Sequence, residues 1–245
     1  QFLSLFPGFQ NGKNILVESF NSGPTAAGLA SSASGFAALS LAANTFFKTN
    51  YSIEELANIT KLGSGSACRS LLGGFVHWNR NESIKEIPYA IEDLRMIFVI
   101  IEDNQKDISS KEAMQRTVET SSLYPAWVQR QNEATKEMLQ AIKEDNFQKI
   151  GELTEESALG MHATMLASNP PILYMQSKSI LIYSLLKELR HKNIAAYATM
   201  DAGPNVKILT KERNVNSVIE KLKEAGYLNV IISKISKGAE IIESK

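Results

Sequence analysis

Apolar residues along the chain switch between a period of two, which suits strands, and spacings of three and four, which suit helices. Over 14–20, Ile15, Val17 and Ser19 alternate with Leu16, Glu18 and Phe20, and the run ends in the turn cluster Asn21-Ser22-Gly23-Pro24, so a strand is predicted there. Leu29, Phe36, Leu39, Ala43 and Phe46 follow at helical spacing and predict a helix over about 31–47, with one apolar stripe facing a sheet. Ser52 and Glu55 make a capping-box pair that opens a second helix running to about Lys61. A short helical segment ending at Gly73-Gly74, a strand over 75–78 and a polar hairpin or loop over 79–86 come next.

Leu94 to Ile101 reads as a strand, and the shift of composition near Asp93 predicts a boundary between residues 1–92 and 93–245. Met114, Val118, Leu123, Trp127, Met138, Leu139 and Ile142 predict helix over 110–143, bent or broken at Pro125. Further helices are expected over 147–167, despite Gly151 and Gly160, and over 177–191 and 214–225. Strands are expected over 194–200, 206–209, 230–233 and 239–242, with a turn at 201–205. Helices mixed with non-adjacent strands make this an α+β chain, its helices packed on mainly antiparallel sheets.

Composition excludes more than it identifies. The chain has 245 residues, 44% of them hydrophobic and 21% charged, enough to bury a sizeable core in one large or two smaller domains. Twenty-six Lys and Arg balance 26 Asp and Glu, so no global field favours nucleic acid or an anionic membrane. The longest apolar run, Met96 to Ile101, is too short to span a bilayer, and no charged-then-apolar signal opens the chain, so a cytoplasmic location is expected. A single Cys68 suits a reducing compartment, and His77, His162 and His191 are too scattered to suggest a zinc site. The first residue is Gln1 rather than methionine, and the chain is expected to lack its natural N-terminal portion.

Three stretches could carry chemistry. In Pro24-Thr-Ala-Ala-Gly28-Leu-Ala-Ser31-Ser32-Ala-Ser34-Gly35, Gly28 allows close backbone approach, Ser31, Ser32 and Ser34 offer hydroxyls, and the helix start directs N–H groups at an anion. The same composition also suits a tight packing contact. Ser64-Gly65-Ser66 with Arg69 offers amides, hydroxyls and a guanidinium for a carboxylate or phosphate, or is a Gly/Ser loop with a solvated arginine. Asp201 ends an apolar strand before Gly203-Pro204-Asn205, as an acid in a site or as a turn residue.

The first stretch resembles the ATP-binding pattern of the GHMP kinase superfamily, Pro-x-x-x-Gly-Leu-x-Ser-Ser-Ala. Together with Ser-Gly-Ser-x-x-Arg at 64–69, Met161-His-Ala-Thr164 followed by Pro170-Pro171, and Met200-Asp-Ala-Gly-Pro-Asn205, it resembles the diphosphomevalonate decarboxylase family over about 1–242; Gly73-Gly74-Phe75 and the Tyr124/Trp127 pair also fit. The resemblance implies a GHMP-kinase-type two-domain fold, a ribosomal-protein-S5-domain-2-like N-terminal part (1–92) and a ferredoxin-like C-terminal domain (93–245). It implies ATP-dependent decarboxylation of mevalonate 5-diphosphate to isopentenyl diphosphate, with ATP and Mg²⁺ required and a homodimer as the assembly. Asp201 and Arg69 are then the expected catalytic residues, with Ser64, Gly65, Ser66 and Arg69 holding substrate. Gly28, Ser31, Ser32 and Ser34 would hold nucleotide, with Ser31 and Ser32 near the metal. Two departures stand out: the Lys-Tyr-Trp-Gly-Lys-type motif common in the family has no counterpart here, and Gly160 stands where relatives commonly carry a polar or basic side chain. Action on a related mevalonate phosphate, as decarboxylase or 3-kinase, and a non-catalytic fragment are the alternative readings.

Overall fold

Every strand pair in the computed structural model, which describes residues 1–10, 14–20, 31–79, 84–101 and 108–242, is antiparallel. The chain separates into two units: Gln1–Pro88 with the stretch from Ile235 onward, and Tyr89–Lys234.

In the first unit a short turn, Leu3–Leu5, precedes α1 (Ser31–Phe46), α2 (Ile53–Gly63), α3 (Ala67–Ser70), β1 (Phe75–Trp78) and β2 (Ile84–Ile87). The Ser52 hydroxyl accepts from the Glu55 N–H and the Glu55 carboxylate accepts from the Ser52 N–H, so the capping box starts α2 as expected. The α1 helix departs from the stripe read in the sequence. It buries Ala33, Ala37, Ser40 and Ala43 and leaves Phe46 exposed, because small side chains let its backbone come close to α2 and α3. Phe36 instead covers Gly63, where a Cβ would stand 2.3 Å from the ring, and meets Phe2 edge-on at 5.0 Å.

Two predicted strands of this unit do not form. Residues 14–20 are irregular, with Leu16 84% and Phe20 92% exposed; among the described residues nothing pairs with them, and alternation without a ladder partner supplies no backbone hydrogen bonds. Residues 239–242 are also irregular. The tail holds to the first unit through Gly74 N–H donating to Ser236 O and Ala239 N–H donating to Leu71 O. A Cβ on Gly238 would lie 2.2 Å from the Leu71 carbonyl oxygen, so only glycine permits that approach.

The second unit runs β3 (Leu94–Val99), α4 (Ser110–Thr120), α5 (Tyr124–Lys143), α6 (Phe147–Leu166), α7 (Ser177–His191), β4 (Ala196–Met200), β5 (Val206–Lys211), α8 (Val215–Glu224) and β6 (Val230–Lys234). Its sheet has the order β4-β5-β3-β6, with Ile97 opposite Ile208 and Ile232, and Ala198 opposite Ile208. Strand, helices, two strands, helix, strand in this order is the ferredoxin-like arrangement. Ile97, Val99, Ala198, Met200, Val206 and Ile208 form one face of the core against Ile182 and Leu186 of α7 and Val218 and Leu222 of α8. Each large aliphatic side chain buried here contributes about 1.5–3 kcal/mol.

The helix expected over 110–143 is two helices. The break falls at Ser121–Leu123 and Pro125 sits in the first turn of α5, where its missing N–H costs nothing. Met114 and Val118, read as core positions, are exposed, and α4 buries Ala113 and Thr117. Among the described residues no helix is long and apolar enough to cross a membrane.

Candidate active site

Asp201 is the first residue after β4, and the geometry of the turn that follows is set by three hydrogen bonds. Gly203 N–H donates to the Asp201 carbonyl at 2.8 Å, the Ser179 hydroxyl to the Pro204 carbonyl at 2.8 Å, and Ile101 N–H to Asn205 Oδ1 at 2.7 Å. Strand, turn and the start of α7 are thereby tied together. The Asp201 carboxylate remains 66% exposed and pairs with the Lys207 ammonium, whose side chain is only 11% exposed. A cation tethered to β5 thus keeps an anion at the mouth of the turn, free to meet a ligand on its open side.

Beneath this turn His162 of α6 is 3% exposed, edge-on to Tyr174 with ring centroids 6.4 Å apart. Its Nε2 has no partner among the described residues. Burial pulls its pKa below the usual histidine value, against the opposing pull of the Asp201 charge and of the main chain of Asp201 and Met200. Lys207 and His162 were not singled out as partners of Asp201 from the sequence. The available signal for Lys207 was a cation directly after Val206, at the start of a largely apolar strand; for His162 it was a histidine in the last two turns of α6, between Met161 and Met165.

The Ser64 to Arg69 stretch lies in the first unit, where α2 ends and α3 begins. Ala67 N–H donates to Ser64 O at 2.9 Å, and the Cys68 thiol donates to Gly65 O at 3.1 Å. Ala67 and Cys68 are buried and anchor the turn, leaving Gly65 and Arg69 exposed and Ser64 and Ser66 half-buried. Ser66 makes no capping bond with its side chain, and Arg69 forms no ion pair among the described residues. Burial pushes the Cys68 thiol pKa up, so the thiol is a packed group and not an activated nucleophile.

Gly28 lies outside the described residues. Ser31 opens α1, and Ser32 and Ser34 are exposed in its first turn, which carries no acidic residue. Hydroxyls and helix N–H groups without a carboxylate form a donor set that fits phosphate oxygens and a phosphate-bound magnesium. Among the described residues no three His, Cys, Asp or Glu side chains are grouped to hold a metal by themselves.

An antiparallel ferredoxin-like sheet, and in the same chain a helix-rich unit holding the Ser/Gly stretches, are features of a GHMP-kinase-type protein. The solved structure of mevalonate diphosphate decarboxylase from Staphylococcus aureus superposes with a TM-score of 0.83 at 41% identity, covering 90% of this chain and 69% of that one. Residues 4–90 match the diphosphomevalonate decarboxylase-like N-terminal domain and residues 96–244 the mevalonate 5-diphosphate decarboxylase C-terminal domain. The chain belongs to the diphosphomevalonate decarboxylase family. It is similar to the diphosphomevalonate decarboxylase of Candida albicans, 38% identical over 226 residues, spanning 86% of this chain and 62% of that protein's length. A further structure, MDDEF in complex with MVAPP, AMPPCP and magnesium, is 40% identical with a TM-score of 0.84 and covers 90% of this chain and 70% of that one.

Proposed function

We propose that this chain carries out ATP- and Mg²⁺-dependent decarboxylation of mevalonate 5-diphosphate to isopentenyl diphosphate through its 3-phosphorylated form, releasing ADP, phosphate and carbon dioxide. The observation that carries this reading is the Asp201 carboxylate, exposed at the end of β4 yet paired with the nearly buried Lys207. The presence of MVAPP, AMPPCP and magnesium in a 40% identical relative supports the choice of substrate, nucleotide and metal.

ATP supplies the phosphoryl group, and the chain's residues orient, hold and move protons. A carboxylate with a pKa of roughly 4 cannot deprotonate a tertiary alcohol beforehand, so Asp201 orients the 3-hydroxyl and accepts its proton as the oxygen takes up phosphorus. Lys207 holds the Asp201 carboxylate in place through their ion pair. Departure of the phosphorylated oxygen builds positive charge at C3, which loss of carbon dioxide relieves, and Arg69 holds the substrate carboxylate in line for that loss. Ser64, Gly65 and Ser66 bind the substrate's polar groups. Gly28, Ser31, Ser32 and Ser34 hold nucleotide phosphates, with Ser31 and Ser32 next to the metal. Homodimerisation and a cytoplasmic location belong to the same proposal, the latter supported by the lone buried Cys68.

The chain incubated with ATP, Mg²⁺ and each mevalonate phosphate, with ADP and carbon dioxide measured separately, tests this reading. Equal release of both with mevalonate 5-diphosphate is the expected result. ADP without carbon dioxide would identify a 3-kinase, and neither product would identify a non-catalytic chain.

A further inference from the structure

Among the described residues β4 is an edge strand of its sheet, so alternate main-chain groups along it point away from β5 with no strand to receive them. Side chains of α6 and α7 receive them instead. Glu155 Oε2 accepts from Ala198 N–H at 3.0 Å, and Arg190 of α7 donates to Ala196 O at 2.7 Å. The two side chains join each other through both guanidinium ends, at 3.2 and 3.0 Å. One turn before Glu155, Gly151 makes room for the Tyr197 ring, which would lie 2.0 Å from a Cβ there. Residues 151 and 155 of α6 thus meet residues 197 and 198 of β4 in order.

We propose that Glu155, held by Arg190, is a positioning residue that replaces a neighbouring strand along the open edge of β4, and so fixes where the Asp201 carboxylate leaves the sheet. It does not reach the reacting atoms; it acts through the main chain that carries Asp201. The catalytic consequence rests on the function proposed above, whereas the effect on the strand does not.

Amide exchange measured by NMR on the ¹⁵N-labelled full chain, together with steady-state kinetics, tests both levels. Glu155→Ala should speed exchange at Ala198 by about tenfold or more, while amides of α2 and α8 keep their rates. Glu155→Gln, which retains an acceptor oxygen, should bring Ala198 back to within about threefold of the unmodified chain. Glu155→Ala should lower kcat about tenfold and leave KM for either substrate within about twofold. Should Glu155→Ala fail to fold, the double variant Glu155→Met with Arg190→Met, which leaves no unpaired charge, takes its place. Unchanged exchange at Ala198, acceleration spread equally over α2 and α8, or faster local exchange with full kcat would each overturn the inference. Absence of turnover in the unmodified chain would count against the proposed function alone, and exchange would still decide whether α6 holds the strand.

Discussion

Lys207 sits one residue into β5 and pairs its ammonium with the carboxylate of Asp201, one residue beyond the end of β4. The pair spans the turn that the two strands share, with the cation nearly buried and the anion open. Such an arrangement orients a carboxylate without covering it.

Asp201→Asn preserves size and most hydrogen bonding but removes the proton acceptor. Turnover should fall by about a hundredfold or more, with KM for mevalonate 5-diphosphate nearly unchanged. Near-normal kcat in a variant with ordinary circular dichroism and ATP affinity would remove Asp201 from the mechanism.

Ser32→Ala should raise KM for ATP by about tenfold, the cost of one hydrogen bond to a charged phosphate, and leave mevalonate diphosphate affinity alone. Titration calorimetry with each ligand measures the difference. Equal weakening of both would move Ser32 away from the nucleotide.

His162 is held below its usual pKa of 6.5 by burial. The unfolded chain therefore binds its proton before the native one does, and this contribution to native stability is present above about pH 6.5 and lost as pH falls through the native pKa. Urea midpoints at intervals from pH 7.5 to about 4.5 should fall more for the unmodified chain than for His162→Phe. Parallel curves would show that His162 does not titrate differently in the two states.

Gly151→Ala places a Cβ 2.0 Å from Tyr197, whose ring is held between Arg190, 5.0 Å from its centroid, and the edge of Phe147 at 5.8 Å. Alanine gains about 1 kcal/mol of helix propensity, but the overlap should outweigh it and give a net loss of about 1–3 kcal/mol in denaturant unfolding. A stabilised variant would mean that the ring moves aside at little cost.

A different acid-dependent effect lies on the surface of α5 and α6. Hydrogen bonds from Arg130 and Lys149 hold the Glu137 carboxyl down to about 2. Its contribution is present above the unfolded value of 4.5 and lost as pH falls through about 2, so Glu137→Gln should flatten the acid limb of the stability curve below about pH 4.5. An acid limb unchanged by the substitution would show that solvent screens this network in both states.

Local chemistry was enough for some of this protein. Ser52 and Glu55 cap α2 because both partners lie within four residues, and Pro125 starts a helix because its fixed φ and missing N–H suit a first turn. The α+β class and the antiparallel second unit followed from periodicity, and the family followed from four short motifs in order. What periodicity could not supply is which face meets which neighbour. Ala43 was read correctly as part of the α1 stripe, but Ala33 and Ala37 were passed over in favour of larger apolar residues; close packing against α2 and α3 buries the small ones and leaves Phe46 outside. The alternation over 14–20 describes a strand only if a second strand accepts its hydrogen bonds, and none of the described residues does. The side chains that bind the open edge of β4 likewise lie far apart in sequence, since Glu155 comes from α6 and Arg190 from α7. Their meeting along β4 depends on the open edge of a sheet whose order only the tertiary structure decides, because main-chain groups left without a strand partner must find side chains to bind them.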